Sequence, residues 1–362
     1  MYICKFKQFF EAISRYSLQS FLANKNRKKR IFTFIGAKNY HYMKKYFILI
    51  AFFILFMSCD KKTKIEKQVE EIPVDIKMFR FDKLFFESNP QDLPKLKKQF
   101  PYLFPAGNQD SVWINKMKNP LWKELYSEVQ KKYSTTNQLQ TQLEDLVQHI
   151  KFYYPETKTP KAITLISEMD YNSKAIYTDS LVLISLELYL GKDHKFYKNE
   201  FPDYIKQNFE SNQIIPDLVS SFGLGKIGFP RDKSLLSQMV YAGKELYLKD
   251  KLLPEFSDEN KIGYTKEQNA WCIANEAFIW SYFIEGKMLF DSDTKLAGRF
   301  INPAPFSKFY LEIDNESPGR VGAWIGWQIV RSYMENNEPS LQDMLKMDGK
   351  ELFEKSKYKP KK

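Results

Sequence analysis

A run of twelve apolar residues, 46–57, divides this 362-residue chain and determines which part of it can fold as a globular domain. Lys44 and Lys45 precede the run, and the chain becomes polar again at Asp60. A helix that spans a bilayer needs about 20 apolar residues, so this run is too short for one. Its charged start and apolar centre are typical of a secretory signal. We therefore predict a signal peptide over residues 43–58, with the folded part of the protein behind it.

The end of this run predicts lipid attachment. Ser58 is small and Cys59 follows it directly, which resembles the lipobox of bacterial lipoproteins. The resemblance implies diacylglycerol on the Cys59 thiol and an acyl chain such as palmitate on its freed amine. Each buried CH₂ then adds about 0.8 kcal/mol to membrane anchoring. Phe56 stands where the motif commonly has Leu, which leaves the alternative of an uncleaved N-terminal anchor. No cofactor other than this lipid is expected.

The basic charge of the chain belongs to its N-terminus. Residues 1–42 hold nine Lys and Arg against one acid, and Lys44 and Lys45 add two more. Of the formal charge of +11, only +1 remains from Cys59 onward. Nucleic-acid binding requires clustered cations that release counterions, so we exclude nucleic acid as a partner. We expect translation to start at Met43, which makes residues 1–42 an extension that results from placing the start codon too early.

The rest of the chain is predicted to be one α+β domain over residues 73–362. Residues 59–72 are charged and show no apolar period, which predicts a flexible tether. Apolar and polar residues alternate over 74–81, as in a half-buried strand. Further short apolar runs lie at 162–167, 174–177 and 181–184. We predict these three as an antiparallel meander, giving a small mixed or antiparallel sheet with a predominantly helical C-terminal half.

Residues with helical spacing fill most of the remaining sequence. A short helix is predicted over 93–99, another begins at Pro120, and an apolar stripe over 139–154 predicts a long helix that ends at Pro155. Helices are also predicted over 201–211, 214–222, 233–249, 266–286, 318–336 and 340–355.

Motifs for nucleotide or zinc chemistry are weak in this sequence. Residues 223–228 spell G-x-G-x-x-G, but a helical pattern precedes them and a Phe-Pro pair follows, so we predict a turn and no nucleotide partner. After the signal, the chain has only His149, His194 and Cys272 as nitrogen or sulfur ligands besides Cys59. A zinc site needs more such ligands, and both histidines are predicted at the surface. No metal is expected.

Near the C-terminus, glycines interleave with tryptophans: Gly319, Gly322, Trp324, Gly326 and Trp327. Glycines four apart let another helix approach closely, and Pro318 suits a first helical turn. A tightly packed core helix is therefore predicted. The alternative is that Trp324 and Trp327 line an aromatic groove for a partner.

The lipobox, the predicted helix over 233–249 and the closing sequence Pro-Gly-Arg-Val-Gly-Ala-Trp-Ile-Gly together resemble the gliding-motility lipoproteins of the GldB family. The similarity covers the chain from about Met43 to its C-terminus. It implies a cell-envelope lipoprotein that is required for gliding and acts with other envelope proteins of the gliding and type IX secretion machinery.

The same layout is similar to a distant group of zinc peptidases with a zincin-like fold. In that group H-E-x-x-H falls on the counterpart of the 233–249 helix, whereas here Tyr241 and Glu245 stand at the i, i+4 positions without a histidine. A phenol and a carboxylate do not replace two imidazoles and a general base. The resemblance thus implies a degenerate zincin-like fold with no catalytic residues, whose former cleft near Tyr241, Lys244 and Glu245 binds a peptide or partner.

Three functions follow as hypotheses. The first is a non-catalytic envelope component, anchored by lipid with its domain facing the periplasm, because Asp60 and the lysines after it lack the acidic run of a surface-export tag. The second is an envelope peptidase or peptidoglycan hydrolase with a carboxylate-rich site. The third is a ligand-capturing lipoprotein for nutrient uptake, which predicts a deep aromatic pocket.

Overall fold

The start of the domain differs from the predicted flexible tether. The structure, a computed structural model, describes residues 63–361. Within the predicted tether, helix α1 (Lys64–Glu70) buries Val69 and packs on helix α6 (Asn137–Tyr153). Residues 64–70 are therefore part of the packed domain. The predictions for the extension 1–42, the signal peptide 43–58 and Cys59 lie outside the described residues.

Helices make up most of the described chain. The sixteen α-helices within residues 63–361 are α1 Lys64–Glu70, α2 Phe81–Phe86, α3 Leu93–Gln99, α4 Asp110–Lys118, α5 Pro120–Lys132, α6 Asn137–Tyr153, α7 Asp203–Lys206, α8 Ile214–Gly223, α9 Leu235–Leu252, α10 Asp258–Ile262, α11 Lys266–Ala274, α12 Glu276–Glu285, α13 Lys295–Phe300, α14 Val321–Asn337, α15 Leu341–Lys346 and α16 Gly349–Ser356.

One small mixed sheet accompanies the helices. Its strands are β1 Met78–Arg80, β2 Lys161–Leu165, β3 Ala175–Tyr177 and β4 Leu181–Ser185, in the spatial order β1-β2-β4-β3. Strand β2 pairs in parallel with both β1 and β4, and only β3 and β4 are antiparallel. The α+β class and the small mixed sheet are confirmed. The antiparallel meander is wrong, because β3 lies at the sheet edge and β4 returns beside β2.

Burial on both faces explains the central position of β2. Ala162 faces the main core, and Ile163 faces a second, smaller core that contains Phe85 and Phe100. Both side chains and that of Thr164 are buried. A strand covered on both faces is typical of parallel pairing, in which helices lie on each side of the sheet.

Several helix predictions are confirmed and others need correction. The helices over 93–99 and from Pro120 are present as predicted, and Asn119 caps the latter through the N–H of Leu121. The predicted helix over 266–286 breaks at Asn275, and that over 340–355 breaks before Asp348, whose carboxylate caps α16. A helix is predicted over 201–211, but only the short helix α7 forms there. The helix predicted over 318–336 begins three residues later than predicted, at Val321.

Candidate functional site

Helices α9 and α14 cross at two glycines in the C-terminal half of the domain. A Cβ added at Gly326 would lie 1.8 Å from the carbonyl oxygen of Met239, and one added at Gly243 would lie 2.2 Å from the carbonyl carbon of Gly326. No real side chain tolerates such distances, so the two backbones are in direct contact. The close helix approach predicted for Gly326 is confirmed.

The two tryptophans of α14 are core residues. Both indole rings are buried, and Trp324 Nε1 donates a hydrogen bond to Asn269 Oδ1 at 3.2 Å. Trp327 Nε1 donates to Asp250 Oδ2 at 2.8 Å, and the guanidinium of Arg331 lies 3.8 Å from the Trp327 ring centroid. Each indole thus has a partner for its polar end, as buried tryptophan requires. Neither ring lines an open groove.

Lys244, predicted to lie in a cleft, serves instead as a cap of helix α15. Its side chain is buried, and Nζ donates hydrogen bonds to the carbonyl oxygens of Leu345, at 3.1 Å, and Met347. These carbonyls lie at the helix end, where intrahelical donors are lacking. Burial lowers the pKa of Lys244 to about 8, against the opposite effect of Asp348. The amine therefore belongs to the fold and is not available to a ligand.

Tyr241 and Glu245 lie one turn apart on α9 and are partly exposed. The ring of Tyr241 stacks on Phe229 with centroids 6.2 Å apart. Glu245 Oε1 accepts a hydrogen bond from Ser220 Oγ at 2.7 Å and lies 3.2 Å from Lys249 Nζ. Burial alone would raise the pKa of Glu245. Lys249, Ser220 and the nearby Arg320 lower it by more than burial raises it, so the pKa of this carboxyl lies below its ordinary value. The five residues predicted as a groove are therefore not brought together into one.

A pocket of about 240 Å³ opens where α14 begins, beside this part of α9. A Cβ at Gly319 would lie 2.2 Å from the carbonyl oxygen of Ala304, so only glycine fits there. Arg320 follows with φ of 66°, a left-handed conformation that costs a non-glycine residue about 1–3 kcal/mol. Its Nη1 donates to the carbonyl oxygen of Ile262 at 2.9 Å. Backbone strain of this kind is concentrated at functional sites.

Two cationic side chains lie in the wall of this pocket. Arg320 and Lys174 lie in its wall, and each also faces an acid: Arg320 lowers the pKa of Glu245, and Lys174 Nζ lies 2.7 Å from Asp217 Oδ2. Gln207 lines the wall and donates to Gln268 Oε1 at 2.9 Å. Guanidinium groups form strong, directional hydrogen bonds with carboxylates. We take this pocket, which sequence analysis did not identify, as the main candidate site.

A second group of residues that was not predicted from the sequence lies at the carboxyl ends of the three parallel strands. Asp82 follows β1, Ser167 follows β2 and Glu187 follows β4. Asp82 accepts hydrogen bonds from Arg80 Nη2 at 2.6 Å and Thr164 Oγ1 at 2.6 Å. Ligands of parallel sheets commonly bind at this edge. The strand order could not be predicted from the sequence, and it matters here because a meander would have placed β3 between β2 and β4 and so separated Ser167 from Glu187.

Glu187 is the most unusual group at this edge. It is fully buried, and Oε1 accepts hydrogen bonds from the N–H of Ser167 at 2.8 Å and from its Oγ at 2.5 Å. Oε2 has no hydrogen-bond partner among the described residues. Burial raises the pKa of Glu187 to about 7, against the lowering effect of Ser167 and nearby backbone N–H groups. A cavity of about 220 Å³, lined by Trp113, Lys116 and Ser167, lies next to it.

The histidines and Cys272 do not form a metal centre. His149 is buried, so its predicted surface position is wrong; its Nδ1 lies 2.9 Å from the carbonyl oxygen of Asp145 on the same helix. His194 lies 3.5 Å from Glu128, and the buried thiol of Cys272 has a raised pKa because of desolvation. Within residues 63–361, no group of three or more His, Cys, Asp or Glu is placed to hold a metal ion.

None of the helices in the described range combines the length and apolar character needed to cross a bilayer. Comparisons with curated proteins and with solved structures give no match, so the zincin-like resemblance stays a prediction. The family model described as gliding motility protein GldB matches residues 62–360, which is most of the chain. The chain therefore belongs to the GldB family of gliding motility proteins.

Proposed function

We propose that this chain is a lipid-anchored component of the cell envelope that serves gliding without catalysis, by binding other proteins of the gliding and type IX secretion machinery. Family membership supplies the gliding role, and the label of the family model marks its members as lipoproteins. Cys59 is the proposed lipid attachment site, three residues before the matched region, and the domain is proposed to face the periplasm.

The proposal that the protein is not a catalyst rests on helix α9, whose polar side chains bind other parts of the fold. In a zincin-like peptidase this helix would present metal ligands to a cleft. Here Lys244 caps α15, Glu245 is bound by Ser220 and Lys249, and Gly243 lies against the backbone of α14. These groups stabilise the fold. Binding is proposed to occur at the Arg320 pocket, where a partner would supply an acidic side chain or a terminal carboxylate.

A complementation experiment tests this proposal in a strain that lacks the chromosomal copy. Glu245→Gln keeps an acceptor for Ser220, and we expect normal spreading at normal protein level. Arg320→Gly keeps the left-handed backbone and removes the guanidinium, so we expect spreading and crosslinks to partner proteins to be lost, with Arg320→Lys intermediate. Loss of spreading in Glu245→Gln, or full spreading in Arg320→Gly, at unchanged protein level would refute the proposal.

One observation favours the alternative, an envelope peptidase or peptidoglycan hydrolase. Ser167 Oγ donates to Glu187 at the carboxyl edge of the sheet, and a carboxyl group with a pKa of about 7 suits a general base near neutral pH. Ser167→Ala separates the two functions, because the residue lies away from the Arg320 pocket. A hydrolase would lose gliding in this variant, whereas the binding protein proposed here keeps it.

A further inference from the structure

We propose that a cavity at the end of helix α6, formed around Tyr154, Tyr177 and Phe222, binds a carbohydrate; we call it the aromatic cavity. Its volume is about 480 Å³, within the range of about 300–1,000 Å³ that is usual for ligand pockets. It shares no lining residue with the Arg320 pocket, so this proposal does not depend on the proposed function.

Aromatic side chains form one wall of the aromatic cavity. The Phe222 ring packs edge to face against Tyr154, with centroids 5.5 Å apart, and against Tyr177, with centroids 5.2 Å apart. Tyr154 is half-buried, so part of its side chain stays open to a ligand. The face of an aromatic ring is negative and attracts the partly positive C–H groups of a sugar ring. Lys226 Nζ lies 5.4 Å from the Tyr154 and Phe222 centroids, which places a hydrogen-bond donor beside this apolar wall.

The charged groups of the aromatic cavity balance one another. Glu156 and Asp179 are exposed acids that line it, and Lys158 and Lys226 are the matching cations. None of these four side chains takes part in a salt bridge within residues 63–361. Because the four charges cancel, the wall favours an uncharged ligand over an anion or a cation. Hydroxyl groups both donate and accept hydrogen bonds, so a sugar can bind the carboxylates and the ammonium groups at the same time.

Tyr177 supplies a hydroxyl group without a partner. The residue is 8% exposed and lines the cavity, and its hydroxyl makes no hydrogen bond to any part of the described chain. Buried polar groups of side chains nearly always have a hydrogen-bond partner. A sugar hydroxyl in the aromatic cavity would supply the missing one.

The edge of the sheet beside the aromatic cavity is closed to a peptide strand. Strand β3 lies at this edge, and the N–H of Tyr177 donates to Ser221 Oγ on α8 at 2.9 Å. Helix α8 also packs against β3. A peptide that binds by adding a strand needs unpaired N–H and C=O groups at such an edge. The covered edge therefore favours a carbohydrate over a peptide as the occupant.

Ligand-observed NMR with the full-length, lipidated protein tests the proposal. The protein is kept in a detergent whose headgroup is not a sugar. The probes are N-acetylchitotriose, maltotriose and mannotriose, together with an uncharged peptide of alternating alanine and serine that is blocked at both ends. Saturation transfer from the protein to each probe detects binding, and a titration gives the Kd.

Two tyrosine variants separate binding from folding. Tyr177→Phe removes only the hydroxyl without a partner. The matched control is Tyr133→Phe, at a residue that is 7% exposed and lies outside the cavity, and whose hydroxyl donates to the carbonyl oxygen of Tyr189 at 2.7 Å. We expect at least one trisaccharide to bind the wild type and Tyr177→Phe to raise its Kd about five-fold, without a lower melting temperature, because no hydrogen bond within the protein is lost. Tyr133→Phe should lower the melting temperature and leave the Kd unchanged.

Asp179→Asn, at an exposed acid of the wall, should also raise the Kd, and it serves as the test if Tyr177→Phe does not fold. Absence of saturation transfer to all three trisaccharides would overturn the proposal, and so would equal Kd values in the wild type, Tyr177→Phe and Asp179→Asn. Binding of the peptide alone, weakened by Tyr177→Phe, would assign the aromatic cavity to a peptide partner and would equally overturn it.

Discussion

Glu187 shows how the fold changes the chemistry of a single residue. It is fully buried, and the Ser167 hydrogen bonds reach only one of its two oxygens. Its pKa is raised from 4.5 to about 7 by burial. Between these values the native protein keeps the proton and the unfolded chain has lost it. The contribution of Glu187 to stability is therefore present below about pH 4.5 and is lost as the pH rises to about 7.

Replacing Glu187 with Gln should remove this pH dependence. The amide oxygen still accepts from Ser167, but no charge develops at neutral pH. We expect the variant to exceed the wild type in unfolding free energy at pH 8 by up to about 3 kcal/mol, with little difference at pH 4.5. Urea denaturation of both proteins at pH 4.5 and pH 8 measures the difference in unfolding free energy between variant and wild type. The same difference at both pH values would contradict the prediction.

Residue identity alone does not reveal which polar side chains are buried. Lys244 and Glu245 are neighbours in sequence, and both were predicted in a cleft. The partners that bury Lys244, Leu345 and Met347, lie about a hundred positions later in the chain. Contacts of such separation have no local sequence signal, and the cleft at Lys244 is implied only by the zincin-like resemblance. The burial of His149 was missed for a similar reason, since its helix position beside the apolar stripe is compatible with either environment.

At the scale of elements, the crossing of α9 and α14 is the most sensitive contact. Gly326→Ala places a methyl group 1.8 Å from the Met239 carbonyl oxygen, so the helices must separate. Overpacking of this kind costs about 1–3 kcal/mol or more, and we expect a value at the upper end. Gly298→Ala on α13 is the matched control, because no heavy atom lies within 4 Å of its added Cβ.

The control should behave in the opposite way. Alanine favours a helix over glycine by about 0.5–1 kcal/mol, so Gly298→Ala should raise the melting temperature slightly while Gly326→Ala lowers it. Thermal unfolding followed by circular dichroism compares the two variants. Equal melting temperatures would show that the helices at Gly326 are not in backbone contact.

Most helices were predictable from sequence and the sheet topology was not. Helical periodicity placed α6, α8 and α9 to within a few residues, because each has a continuous apolar side that faces the core. The strands were located, but three to five residues are too few to distinguish parallel from antiparallel pairing. The candidate site at the strand ends depends on that pairing. The Arg320 pocket was missed as well, because the left-handed conformation of Arg320 has no sequence signal.

At the scale of the whole molecule, anchor and domain are predicted to be separable. The described domain packs its core from residues after 63, and the family match begins at residue 62. A change at Cys59 should therefore leave the domain folded. Only four residues separate Cys59 from Lys64, so the lipid proposed on Cys59 would be the main determinant of where the domain lies.

Replacing Cys59 with Ser should change where the protein lies in the cell without unfolding its domain. A hydroxyl accepts no diacylglycerol, so we expect the protein to leave the membrane fraction and the cells to lose spreading, with the protein's resistance to protease unchanged. Ser58→Ala, which keeps a small residue before the cysteine, should retain both membrane association and spreading. Membrane-bound Cys59→Ser protein that supports normal spreading would therefore show that lipid on this residue is not what confines the domain to the envelope.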